Sequence, residues 1–149
     1  MARTAFAAIL LSVGLTAHAN AQVTAFVDGR VIDGTGRVTE RATVVVRDGR
    51  IAEVGPAASV RVPDGATRVS LTGKTLMPGL VNAHGHLSPF DGLRAAAEFY
   101  TRANLERQLR AYATYGVTTV FSLGDDQADA FALRDAQAAA PPDRARVFV

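Results

Sequence analysis

Leu76-Met77-Pro78-Gly79-Leu80-Val81-Asn82-Ala83-His84-Gly85-His86 is the stretch that decides how the rest of the chain is read. A short apolar run ends in two histidines separated by one glycine. On a β-strand, residues two apart point to the same side, so both imidazoles are expected to face one point. Gly85 removes a side chain that would crowd that point. Neutral imidazole is the commonest protein metal ligand, and two of them at one strand end make half of a site.

Downstream, helix and strand signals alternate. Ser88-Pro89-Phe90-Asp91-Gly92 reads as a loop. A helix is expected from residue 93 or 98 to 115, with Leu105, Leu109 and Tyr112 as its buried stripe. Glu98/Arg102 and Glu106/Arg110 would pair at i, i+4 on its wet side, and Gly116 supplies the stop. Val117-Thr118-Thr119-Val120-Phe121-Ser122-Leu123 is apolar and β-branched without alternation, as in a strand covered on both faces. Gly124-Asp125-Asp126 reads as the cap of a second helix with Ala130, Leu133 and Ala136 on one side. Pro141-Pro142 ends that helix, and Arg146-Val147-Phe148-Val149 opens a third strand. Strand, helix, strand, helix, strand predicts α/β architecture with a parallel sheet. A chain closing inside an apolar strand reads as the N-terminal fragment of a longer one.

Upstream, residues 22–75 are β in pattern. Two short strands are expected at 23–27 and 29–32, followed by a turn at Asp33-Gly34-Thr35-Gly36. Asp48-Gly49 between β-branched runs is a type I′ hairpin signal, because both turn positions need φ > 0. Pro63-Asp64-Gly65 breaks the chain before short strands at 68–71 and 75–77. Some fifty residues of small strands are too few to bury a large core alone.

Residues 1–21 have the three regions of an export signal: Arg3, an apolar run, then small residues with A-x-A sites ending at Ala19 and Ala21. The expected location is therefore secreted or periplasmic. The apolar run is well short of the ~20 residues of a membrane helix, so no stable membrane anchor is expected. His18 falls inside this segment.

The 149 residues are 48% hydrophobic and 20% charged, a globular balance. Sixteen bases against fourteen acids leave a net charge of +2 without clustering, which argues against a nucleic-acid partner. With no cysteine, thiol chemistry and Cys-ligated metals are excluded.

Taken together, the Asp33-Gly34-Thr35-Gly36 turn, the hairpin through Asp48-Gly49-Arg50-Ile51-Ala52-Glu53-Val54-Gly55, the Pro78–His86 stretch and Gly116-Val117-Thr118-Thr119-Val120 resemble the metal-dependent amidohydrolase superfamily, and most of all its secreted imidazolonepropionase- and prolidase-like branch. The resemblance implies a small β-sandwich domain at 22–75, then the start of a TIM (β/α)₈ barrel at 76–149, holding two or three strands of eight. It implies His84 and His86 as ligands of one or two divalent metal ions, Zn²⁺ first among them, with Asn82 as a neighbouring group that is not a ligand. A lysine or glutamate, two further histidines and a late aspartate acting as general base would come from later strands, so no catalytic residue is assigned within these 149. The implied reaction is hydrolysis of a C–N bond in a small amide, cyclic amide or dipeptide-like substrate by a metal-activated water. Two other classes fit parts of the pattern: a secreted β-rich interaction module, and a non-catalytic metal-binding protein built on the histidine pair. Asp125 and Asp126 read as helix caps, and Asp91 as a loop carboxylate. Oligomeric state is not legible.

Overall fold

The computed structural model describes residues 22–139 and 142–149. The expected export signal, with His18 and both cleavage positions, lies outside the described residues, as does Pro141. The chain divides into two compact units, one running through Ile32 and resuming at Gly36–Leu76, the other made of Asp33–Thr35 and Met77–Val149. Among the described residues no helix is long and apolar enough to cross a membrane.

The first unit is one five-stranded sheet: β1 (Val23–Ile32), β2 (Val38–Arg47), β3 (Arg50–Pro56), β4 (Thr67–Ser70) and β5 (Thr75–Leu76). β3, β2 and β1 form an antiparallel meander, and β4 and β5 both pair with β1 in parallel. Asp48 and Gly49 lie at φ 49° and 73°, the type I′ geometry expected of that pair. The two strands expected at 23–27 and 29–32 are a single bulged strand. Asp28 takes φ 61°, and the register slips on both sides of Gly29. The extra residue changes which face the chain presents. Ala25 and Val27 pack with Val45 and Val60, whereas Val31 packs with Ala42 and Val44. β2 serves both clusters, and so Ala42-Thr43-Val44-Val45 is buried throughout.

In the second unit the quoted apolar run is divided. Leu76 closes β5, and the next strand, β6 (Leu80–Gly85), begins only after Pro78-Gly79. A Cβ at Gly79 would lie 2.1 Å from Thr118 Oγ1, so glycine is what lets this entry pass β9 (Val117–Ser122). β6, β9 and β10 (Arg146–Phe148) form a parallel sheet in chain order. α1 (Arg102–Thr114) links β6 to β9, and α2 (Ala128–Ala136) links β9 to β10.

Several local expectations are corrected. The helix expected from 93 or 98 begins at Arg102, because Thr101 accepts a hydrogen bond from Asn104 N and caps it there. The residues before it form a small hairpin, β7 (Phe90–Asp91) and β8 (Arg94–Ala95), and a 3-10 turn at Ala97–Phe99. Glu98 sits in that turn, so Arg102 pairs forward with Glu106 at 3.2 Å, and Arg110 reaches the same carboxylate at 3.6 Å. Leu105 and Leu109 are fully buried with Leu87, Val120, Leu133 and Val147, about 1.5–3 kcal/mol for each large side chain. Tyr112 packs at the margin of that cluster. The cover of β9 is uneven: Val120 meets the helices and Thr119 is buried on the other face, while Phe121 on that second face is exposed and stacks on Phe148 at 5.0 Å. On α2, Ala130 and Leu133 are buried but Ala136 is exposed, and the next residue, Gln137, turns inward instead. Its N-cap is Gln127, without a side-chain bond, so neither Asp125 nor Asp126 caps the helix.

Candidate metal centre

The register of β6 on β9 carries the geometry of the histidine pair. Asn82 faces Val120 and Gly85 faces Ser122, a step of three residues against two. This is a β-bulge at Ala83-His84, which re-aims the side chains beyond it. Asn82 Nδ2 donates to the Tyr112 hydroxyl at 3.3 Å, and Asn82 Oδ1 accepts from His84 N at 3.2 Å. A Cβ at Gly85 would stand 2.8 Å from Val120 Cγ1 and 2.9 Å from Asn82 Nδ2. Gly85 therefore shares the packed face of Asn82, and only glycine fits there. His84 turns to the other face, and His86 follows just past the strand end. In a regular strand Asn82 would have shared the face of His84; the bulge leaves it holding that residue's backbone instead.

The two imidazoles lie with ring centroids 5.5 Å apart, tilted by 53°. Both residues are exposed, and neither ring is engaged by a hydrogen bond or ion pair from another described residue. Two imidazoles sharing one tetrahedral ion through bonds of about 2.0–2.1 Å place their centroids roughly 5 Å apart. The 5.5 Å between these centroids is close to that spacing. Among the described residues no group of three or more metal-binding side chains forms. A groove of about 620 Å³ opens beside His86, bordered by Phe90, Gln108, Tyr112 and Val117.

The backbone around His86 is tied to β9 on both sides. Leu123 N donates to Gly85 O at 2.9 Å, and Leu87 N donates to Ser122 Oγ at 2.9 Å. Asp126, expected as a helix cap, accepts from Ser122 Oγ at 2.7 Å and from the Tyr100 hydroxyl at 3.4 Å. Asp91 pairs with Arg107 at 2.8 Å, and Arg107 also bonds Asn104 Oδ1 at 2.6 Å, which fixes the β7–β8 hairpin to α1. Burial, helped by the neighbouring Asp126 carboxylate, raises the Tyr100 phenol above its ordinary value. Sequence reasoning passed over Ser122 and Tyr100. The available signal was a lone serine in an otherwise apolar strand run, since a buried hydroxyl requires a partner.

No protein-family profile matches the chain. Imidazolonepropionase of Micrococcus luteus is 47% identical over 88 residues, covering 59% of this chain and 20% of that protein. Among solved structures, molinate hydrolase superposes with TM-score 0.72 at 30% identity, over 86% of this chain and 29% of its own. A putative prolidase from Bifidobacterium longum gives TM-score 0.70 at 30% identity, with coverages of 85% and 29%. A sheet unit followed by parallel strands linked by helices is the arrangement that superposes on part of these two structures. The chain belongs to the amidohydrolase superfamily. It spans about a fifth of the curated relative and under a third of the two structures.

Proposed function

We propose that this chain supplies the opening part of a metal-dependent hydrolase acting on carbon–nitrogen bonds, in which His84 and His86 hold a divalent metal, Zn²⁺ first among candidates. The observation that carries the reading is the pair of unengaged imidazoles 5.5 Å apart at the end of β6. In support, β6, β9 and β10 follow one another in parallel and in chain order, as the first strands of a (β/α)₈ barrel do. The end of such strands is also where catalytic groups of barrels collect. The first unit would be the flanking β-sandwich contribution.

When bound, the metal supplies a nucleophilic water at neutral pH and polarises the scissile carbonyl or imine. The residues of this chain do the holding. The bulge at Ala83-His84 aims His84, Asn82 fixes its backbone, and β9 fixes the backbone of His86. Two protein ligands fall one short of the three usual at catalytic zinc, so further ligands and the general base belong to other segments. The substrate class is a small amide, cyclic amide or dipeptide-like compound, in line with the names of the similar proteins. The basic, apolar and small-residue order of residues 1–21 places the protein outside the cytoplasm in this reading, which N-terminal sequencing of exported material checks.

The test is metal content by elemental analysis for the wild type, His84→Ala and His86→Ala, beside turnover of a panel of small amides by the whole enzyme. Either histidine variant is expected to lose metal and turnover while keeping its fold. Full occupancy and normal turnover in both would overturn the reading.

A further inference from the structure

We infer that Ser122 is a positioning residue for His86, held to that role by Asp126 and Tyr100. The inference rests on the reading of His86 as a metal ligand.

β6 and β9 part after the Gly85–Ser122 pair, where the last ladder bond runs from Leu123 N to Gly85 O. The next donor along that chain, Leu87 N, has no ladder partner left, and Ser122 Oγ takes it at 2.9 Å. The peptides on either side of His86 are thereby both fixed to β9. Leu87 is itself buried in the helix-facing core, so the residue following His86 is anchored twice.

The direction of these bonds is set by charge. A carboxylate only accepts, so the single proton of Ser122 must go to Asp126 Oδ1, at 2.7 Å. That leaves a lone pair of Ser122 Oγ for Leu87 N. The Tyr100 hydroxyl accepts from Gln127 N at 3.0 Å and donates to the same carboxylate oxygen at 3.4 Å. Asp126 thus stands just ahead of α2, where the helix dipole favours an anion. Ser122 is 2% exposed, so water does not compete for its hydroxyl. Asp126 and Tyr100 orient Ser122, and Ser122 orients the peptide that carries His86.

The experiment uses the full chain, with Zn²⁺ alone as the probe. It reads amide hydrogen exchange at Leu87 and Zn²⁺ affinity by competition with a chelating dye, for the wild type, Ser122→Ala, Asp126→Ala, Asp126→Asn and His86→Ala. Ser122→Ala is expected to speed exchange at Leu87 and weaken Zn²⁺ binding about 10–100-fold, as loss of a supporting hydrogen bond does at metal sites. Exchange at Leu105 and Leu109 should stay unchanged. Asp126→Ala should move both readouts the same way, and Asp126→Asn, which keeps an acceptor oxygen, should restore them. If Ser122→Ala does not fold, the two Asp126 variants make the same comparison. Unchanged exchange at Leu87 in Ser122→Ala or, failing that, in Asp126→Ala overturns the inference. Zn²⁺ binding that survives in His86→Ala would instead strike the ligand reading, and Leu87 exchange still decides the role of Ser122.

Discussion

The side-chain amide of Gln137 grips the backbone of Val147 from both sides: Nε2 donates to Val147 O at 2.7 Å, and Oε1 accepts from Val147 N at 3.0 Å. The amide acts as a one-residue strand partner for β10, on a segment that β9 supports from its other edge. Gln137→Ala leaves a donor and an acceptor unmatched beside a buried residue. The expected cost is about 1–3 kcal/mol, read as a lower denaturant midpoint at unchanged slope.

Gly85→Ala should damage the site and the fold together. Its Cβ would stand 2.8 Å from Val120 Cγ1, a core atom that cannot swing clear. Overpacking of this kind costs about 1–3 kcal/mol. Thermal melting should show the loss, and Zn²⁺ titration should show weaker binding, because relief must come from moving the strand that carries both histidines.

Asn82→Ala should be milder than loss of either histidine. It removes the acceptor for His84 N and the partner of the Tyr112 hydroxyl, but no ring nitrogen. About a tenfold drop in Zn²⁺ affinity is expected, with both histidines still able to bind. Dye-competition titration beside His84→Ala separates the two cases.

Alkaline pH should act through Tyr100. Its phenol is raised in the folded chain, chiefly by burial and further by Asp126, above the ordinary value near 10. The folded state then holds the proton more tightly than the unfolded one. The stabilising contribution is complete below pH 10 and is lost as pH rises through the folded value. Tyr100→Phe should be less stable at neutral pH, having lost the bonds to Gln127 N and Asp126, and should show a weaker fall in stability above pH 10. Urea melts from pH 8 to 11 measure both.

What was legible in the chain was what local chemistry dictates. Asp48-Gly49 demanded a turn with two positive φ angles, and Gly116 ended α1 at φ 79°. The order of strands and helices followed from composition over windows of ten residues. The bulges were not legible: at Asp28 the sequence reads as a break between two strands and not as a bulge within one, and at Ala83-His84 it reads as an unbroken period of two. The start of α1 was missed because the apolar and charged residues at 93–99 imitate helix periodicity, whereas Thr101 decides the cap. At the candidate site the histidines were visible as a pair. Their supports were not, because Ser122, Asp126 and Tyr100 meet only after the chain has folded.

The first unit has a kinetic consequence in the way β1 is paired. β1 is synthesised ahead of the other strands, yet its partners on one edge are β4 and β5, so that Thr24 meets Thr67 and Val31 meets Leu76. The β2–β3 hairpin needs only a two-residue loop and can close within about 1–10 μs. The parallel pairings must first gather long stretches of chain, the kind of contact that slows folding. The antiparallel β1–β2–β3 meander, joined by short connections, is therefore expected to form before the second edge of β1, which waits for β4 and β5. Until the segment ending at Leu76 has emerged, β1 carries half its ladder unpaired, and a chain halted before that point offers an open strand to its neighbours.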